Sequence, residues 1–286
     1  MFVIIGIIAV IVCVIGSYMA MGGKLAVLNQ PFEVTLIFGA GISAFVIGNP
    51  IRVVKGAFGR LAQIFKGPKY KKADYLELLT MQYQVFRVMK QKGALAIEQH
   101  VENPEESTLF QEFPKFYGDH HALDFFCDYL RLLTMGTDNP HEIEALIDAD
   151  LEALHMQDHQ VSHSLTQMAE SFPALGIVAA VLGVIKTMGS INEPPEVLGK
   201  LIGGALVGTF LGILLCYGFF APFANHVKTL IEEEATYMNS MKAGLVAHMQ
   251  GYAPAISVEF ARKVLAEHNR PTFAEVEEAV GDLPPV

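Results

Sequence analysis

Charge is scarce in this sequence. Only 17% of its 286 residues are Asp, Glu, Lys or Arg, 52% are hydrophobic and the mean hydropathy is +0.36. An ordinary soluble domain carries about 25% charge. The apolar surplus sits in blocks and the charges in other blocks, which excludes disorder and argues against a purely soluble enzyme. Cysteine is scarcer still. Cys13, Cys127 and Cys216 form no even framework and two lie in apolar runs, so a disulfide scaffold is excluded and a reducing or membrane setting fits. Basic residues number 20 against 30 acids, and the resulting net charge of −10 argues against nucleic-acid binding. Enzyme signatures are missing: there is no phosphate-binding Gly-Lys-Ser/Thr loop, no strand-linked dinucleotide fingerprint and no elbow serine. His155, His159 and His163 recur at a spacing of four, but no His-Glu-x-x-His accompanies them. Solvated helix histidines are their commoner explanation, and no metal or cofactor is expected.

What the sequence does contain is four uncharged runs. Residues 1–23 precede the first charge, Lys24; 34–51 lie between Glu33 and Arg52; 171–185 lie between Glu170 and Lys186; and 201–227 hold His226 but no Asp, Glu, Lys or Arg. A membrane-crossing helix needs roughly 17–25 apolar residues, which the first and fourth runs supply outright and the others with their flanks. The first run lacks a basic leading region and exceeds the roughly 7–15 apolar residues of a cleaved signal, so it reads as a retained span. The expected fold is an all-α integral membrane protein with four transmembrane helices in two hairpins. The first hairpin occupies 1–51 (helices 1–22 and 33–51) and the second 170–227 (helices 170–189 and 200–224). A large helical insert covers 52–169 and a helical tail 228–286.

Basic residues set the orientation. Arg52, Lys55, Arg60, Lys66, Lys69, Lys71 and Lys72 precede the next acid, Asp74, whereas the loops at 24–32 and 187–200 hold one basic residue each. The positive-inside rule therefore puts the insert, the tail and both termini in the cytoplasm. Residues 53–66 alternate basic and apolar groups at helical spacing, which suits either a helix in the membrane interface or a basic linker. Amphipathic helices are expected over 74–102, 121–135, 140–157 and 159–169, with Asn103-Pro104, Gly136 and Asn139-Pro140 as breaks. The fourth membrane helix continues its pattern to Gly251, and helices at 254–268 and 271–280 follow.

None of the four apolar cores contains Asp or Glu. Proton relays across bilayers normally use a buried carboxylate or histidine, so a proton carrier would have to come from another chain. Gly204, Gly208 and Gly212 form a small-residue ridge that lets a helix approach closely, from within this chain or from a partner, with Thr209 beside it. Gly176, Ala179, Ala180 and Gly183 offer a matching surface. Pro173 and Pro222 interrupt the third and fourth helices and free the carbonyls of Ala169 and Gly218; each is a hinge or a fixed kink.

The stretches ESFPALGIVAAVLGVIKTMG (170–189), GGALVGTFLGILLCYGFFAPFA (203–224), ISVEFARKVLAEHNRPTFAEVEEAV (256–280) and KQKGALAIEQHVENPEES (90–107) closely resemble the flagellar motor stator A subunit family, MotA, of the wider MotA/TolQ/ExbB proton-channel class. The resemblance covers essentially the whole chain. It implies a homopentamer around two B subunits, whose single membrane helix supplies a protonatable Asp and whose far end anchors to peptidoglycan. It implies that ion flow turns the ring against a rotor switch-complex protein at the cytoplasmic face. By position it assigns Pro173 and Pro222 to coupling, Thr209 to the ion path, and Lys90 and Glu98 to the rotor contact. Many members have Arg where Lys90 stands, so charge is kept but the planar fork is not. Taken without the family, Lys90 and Glu98 would lie about 80° apart on one continuous helix. Sodium-driven relatives carry a threonine where Ala180 stands, which leaves Thr209 and Tyr217 as polar candidates and favours protons over sodium. The competing readings are a TolQ/ExbB-type energiser of an outer-membrane process and a non-conducting membrane scaffold.

Overall fold

The computed structural model describes residues 2–136 and 139–284; residues 1, 137, 138, 285 and 286, which the expected first hairpin, insert and tail include, lie outside the described residues. Helices of five residues or more are numbered along the chain: α1 Phe2–Ala20, α2 Pro31–Gly48, α3 Ile51–Lys66, α4 Lys72–Lys92, α5 Glu98–Glu102, α6 His120–Thr134, α7 Pro140–Met188, α8 Pro195–Leu215, α9 Ala221–Met249, α10 Pro254–Lys263 and α11 Phe273–Gly281. No β-strand occurs among the described residues. Four helical stretches, Phe2–Ala20, Leu25–Gly48, Pro140–Met188 and Pro195–Met249, are long and apolar enough to cross a membrane. The protein is an all-α integral membrane protein.

Three elements differ from the sequence pattern. The expected helices at 140–157, 159–169 and 170–189 are one helix, α7, of 49 residues. Its Ser and Thr hydroxyls do not break it, because they fold back on the helix: Ser162, Ser164 and Ser171 donate to carbonyls three residues earlier at 3.1, 2.8 and 2.7 Å, and Thr166 to Ser162 at 3.1 Å. The expected helix 74–102 instead ends at Lys92. Gly93 takes φ +89, which L side chains avoid, and its N–H closes the last turn on Met89 O at 2.9 Å. Finally, a π-turn, Cys216–Phe220, joins α8 to α9. Pro222 cannot donate to Gly218, and its ring would strike that carbonyl; one widened turn absorbs both.

The chain divides into two units, 1–67 with 157–230 and 68–156 with 231–286. The division differs from the expected boundaries at 52 and 169. Residues 51–66 and 157–169 belong with the membrane helices because Val53, Val54, Ala57 and Ile64 are buried there and Arg60 bridges Asp158 at 3.1 Å.

In the first unit, α1 buries none of its residues and rises about 28 Å at 1.5 Å per residue, close to the hydrocarbon thickness. Its run of Ile and Val would favour strand in water; in lipid only a helix satisfies every backbone group within the segment. Glycines set the spacing of the other spans. A methyl at Gly176 would stand 2.7 Å from Gly208 O, and one at Gly212 2.5 Å from Phe172 O. A methyl at Gly41 of α2 would stand 2.7 Å from the Phe172 ring.

In the second unit an aromatic core holds α4 against α6, α9, α10 and α11, with Tyr75, Phe86, Phe116, Phe126 and Tyr237 each at most 2% exposed. Tyr70 stacks on Tyr237 at 3.8 Å, donates from its hydroxyl to Asp119 Oδ2 at 2.6 Å, and lies next to Lys69, whose ammonium reaches Asp119 at 2.9 Å. Burial would raise the Asp119 carboxyl, but the Tyr70 hydroxyl and Lys69 outweigh it and hold the group below its ordinary value.

Two outcomes follow from this packing. Gly208→Leu should wedge α7 from α8, costing about 1–3 kcal/mol or more and sharply reducing the yield of folded, membrane-inserted protein. Gly199→Leu, at an exposed site with nothing within 4 Å of the added Cβ, should not; equal yields for the two would contradict the crossing. Because Asp119 is depressed in the folded state, its stabilisation is present above the unfolded carboxyl value of about 3.9 and fades as pH falls through that and the lower folded value. Thermal unfolding should therefore find Asp119→Asn weaker than wild type by about 1–2 kcal/mol at pH 7, with the gap closing below about pH 4. A gap independent of pH would assign the loss to packing.

Candidate ion-coupling site

The crossing of α7 and α8 brings five of the sequence-selected positions together, Gly176, Ala179, Ala180, Gly208 and Thr209. A methyl at Gly208 would meet Ala179 Cβ at 2.8 Å and the Ala180 nitrogen at 3.3 Å, and one at Gly176 would meet Thr209 Cα at 3.3 Å. Gly204 packs instead against the Gln30 carboxamide, at 2.9 Å from an added Cβ. The ridge Gly204, Gly208 and Gly212 is thus occupied within this chain, the simpler of the two uses the sequence allowed. Close approach of this kind needs glycine because each backbone sits where the other's side chain would stand.

Thr209 is half-buried at the crossing. Thr166, Thr187, Thr229 and Thr236 spend their hydroxyls on carbonyls four residues earlier, at 2.8–3.2 Å. Among the described residues the Thr209 hydroxyl forms no such bond, so its donor and acceptor stay available. Ala180 is half-buried and brings no oxygen beyond its backbone.

Pro173 lies deep inside α7 rather than in the first turns of a separate helix, and its missing N–H leaves Ala169 O without its helical donor. Beside it, Phe172 is fully buried, with its ring 5.7 Å from Phe38 and 4.7 Å from Phe220, two residues before Pro222. Both proline-broken turns therefore meet through one aromatic cluster. Sequence reasoning passed over Phe38, Phe172 and Phe220; the signal was an aromatic within two residues of each membrane proline. Tyr217, at 72% exposure, and Pro222, also exposed, face away from this packing. Tyr217 is eight residues past Thr209, about 12 Å along the axis, so the structure does not bring the two polar candidates together.

Lys90 and Glu98 are both exposed, Lys90 in the last turn of α4 and Glu98 opening α5. Gly93 and a 3-10 turn, Ala94–Ile97, separate them, so the single-helix angle of 80° does not apply, and no ion pair joins them among the described residues. Behind Lys90 the ring of His248 stacks on Phe86 at 4.6 Å with its Nδ1 buried and without a partner. Burial, and then the charge of Lys90, push His248 down to about 4, so it is neutral at physiological pH. His155, His159 and His163 lie along α7, and the described residues contain no group of three or more metal-binding side chains placed around a common point.

With this geometry in hand, similarity to known proteins is informative. Residues 4–93 match the motility protein A N-terminal family and residues 119–240 match the MotA/TolQ/ExbB proton channel family. Motility protein A of Escherichia coli is 42% identical over 280 residues, covering 98% of this chain and 95% of that protein. Chemotaxis protein LafT of Vibrio parahaemolyticus is 34% identical, with 95% of each chain covered. The flagellar MotAB stator complex of Bacillus subtilis has a chain that superposes with TM-score 0.70 at 25% identity, covering 90% of this chain and 92% of that one. The fold also matches a chain of C. jejuni MotAB, with TM-score 0.74 at 20% identity and 93% and 95% coverage. Similarity that runs nearly end to end at 42% identity, together with the two family matches, means that the chain belongs to the motility protein A family, within the MotA/TolQ/ExbB proton channel family.

Proposed function

We propose that this chain is the ion-conducting A subunit of a flagellar motor stator, coupling proton flow to rotation and to torque on the rotor. The observation that carries the reading is the α7–α8 crossing: in a chain of a proton channel family, a backbone-close junction carries an available hydroxyl, Thr209, and two broken helical turns, but its apolar core holds no carboxylate. The titrating group then comes from a B subunit, whose single span brings the protonatable Asp and whose far end holds peptidoglycan. In this reading five A subunits surround two B subunits in the bacterial inner membrane, with both A termini in the cytoplasm. Pro173 and Pro222 act as coupling points, since a helix lacking one hydrogen bond bends at low cost where neighbours or water reach the freed carbonyl. The Phe172–Phe220 contact supports joint movement of the two broken turns.

The transported ion is a proton. Sodium must exchange its hydration shell for several oxygen ligands, whereas a proton needs a titratable group and a hydroxyl or water path. Residues 171–185 offer one hydroxyl, Ser171, and its Oγ is committed to Met168 O at 2.7 Å. In cells carrying this stator with its B partner, replacing external sodium by potassium at fixed pH should leave motor speed unchanged, and a protonophore should stop it. Speed that collapses without sodium and survives the protonophore would reverse the assignment.

Lys90 and Glu98 face the rotor as two separate exposed charges acting over about a Debye length of 8–10 Å. Reversing both charges should cut swimming several-fold while ion conduction through an opened channel persists. Loss of conduction along with swimming would move the two residues from rotor contact to folding or gating.

A further inference from the structure

Helix α3 begins two residues after α2 ends, with only Asn49 and Pro50 between them, so it starts at the boundary where a membrane span stops. One of its faces is used inside the first unit: Val53, Val54, Ala57 and Ile64 are buried, and Arg60 on the same side bridges Asp158 at 3.1 Å. The opposite face is mostly exposed, although the Phe65 ring meets the edge of Phe223 at 6.3 Å between centroids. At about 100° per residue Ile51, Lys55, Phe58, Ala62 and Phe65 fall within an arc of roughly 80°. All five are exposed, with Ile51 at 68%, Phe58 at 56% and Phe65 at 55%. Arg52 and Lys66 flank the stripe on one side.

The charges on this open face are of one sign. Although the chain carries a net charge of −10, α3 contains no Asp or Glu. In the second unit lysines find acids: Lys69 pairs with Asp119, Lys72 with Glu275 and Lys242 with Asp148. Among the described residues Lys55 and Lys66 have no such partner, and Arg52 makes only a 3.5 Å contact with the Gln160 carboxamide. Two phenylalanines seven residues apart, bordered by unpaired cations at the end of a membrane span, match the boundary between acyl chains and headgroups: rings enter the apolar side and long basic side chains reach back to phosphate.

We propose that this face of α3 binds anionic phospholipid headgroups, with Phe58 and Phe65 among the acyl chains and Lys55, Lys66 and Arg52 on the phosphates. The charge decides for lipid over a neighbouring protein surface, since the patch is uniformly basic and an anionic leaflet is the neutralising surface that a membrane always presents there. The inference requires only that the first unit spans a bilayer, and it holds whichever ion the complex carries.

The chain has no tryptophan, so Phe58→Trp introduces one reporter. The assembled complex carrying it is placed in nanodiscs of mixed phosphatidylglycerol and phosphatidylcholine, with bromine on the acyl chains of one lipid or the other. The same complex with Phe58 intact gives the background. Brominated phosphatidylglycerol should quench the added tryptophan at least about twofold more than brominated phosphatidylcholine, and high salt should erase the difference by screening. In a Lys55→Gln, Lys66→Gln background both lipids should quench equally, whereas Lys263→Gln, an exposed lysine on α10, should leave the preference intact. No quenching by either lipid would put another protein chain on this face and overturn the proposal. Equal quenching by both lipids with Lys55 and Lys66 in place would also overturn it, leaving an interface helix without headgroup recognition.

Discussion

The first unit depends on one contact, the backbone-to-backbone crossing of α7 and α8 at Gly176, Gly208 and Gly212. In lipid, apolar side chains gain little by leaving a solvent as apolar as themselves, so helices associate through close packing. Removing the side chains at the crossing lets two backbones meet, and many small dispersion contacts follow. The crossing also determines which side chains meet. Thr209 and Ala180 share this junction because the glycines hold their helices there, and Phe172 is pressed against Gly41 from the other side.

The two prolines acquire their meaning from the same packing. Alone, each deletes one helical hydrogen bond. Together they flank Phe172 and Phe220, whose rings touch at 4.7 Å, and the π-turn before Pro222 is the backbone's accommodation of its ring. The two weakened turns thus share one aromatic contact. The second unit contrasts with this arrangement. Its Tyr70–Asp119–Lys69 cluster is partnered within the unit, while Lys90 and Glu98 stay exposed at its surface.

Much of the fold was legible because composition and period are local properties. The four apolar runs, the breaks at Gly136 and Asn139-Pro140, and the amphipathic pattern of α4 each follow from neighbours within a few residues. The misread boundaries had two causes. Ser162, Ser164 and Thr166 look like helix competitors in sequence, but their hydroxyls bond back into α7. Gly93 looks tolerable inside a helix, yet its φ of +89 ends one. The candidate site was legible in its residue types, with glycine, proline and threonine standing out against an apolar background, but Tyr217 faced outward and the phenylalanine cluster was missed.

The sequence by itself determined the class of protein. Four uncharged runs long enough to cross a bilayer, and the absence of Asp and Glu from their cores, are properties that folding cannot alter. Only the tertiary structure decided which helix fills the Gly204–Gly208–Gly212 ridge, how Phe172 and Phe220 come together, and which face of α3 is left open. These depend on contacts between residues far apart in the chain, and a ridge of glycines carries the same local signal whether its own chain or another one fills it.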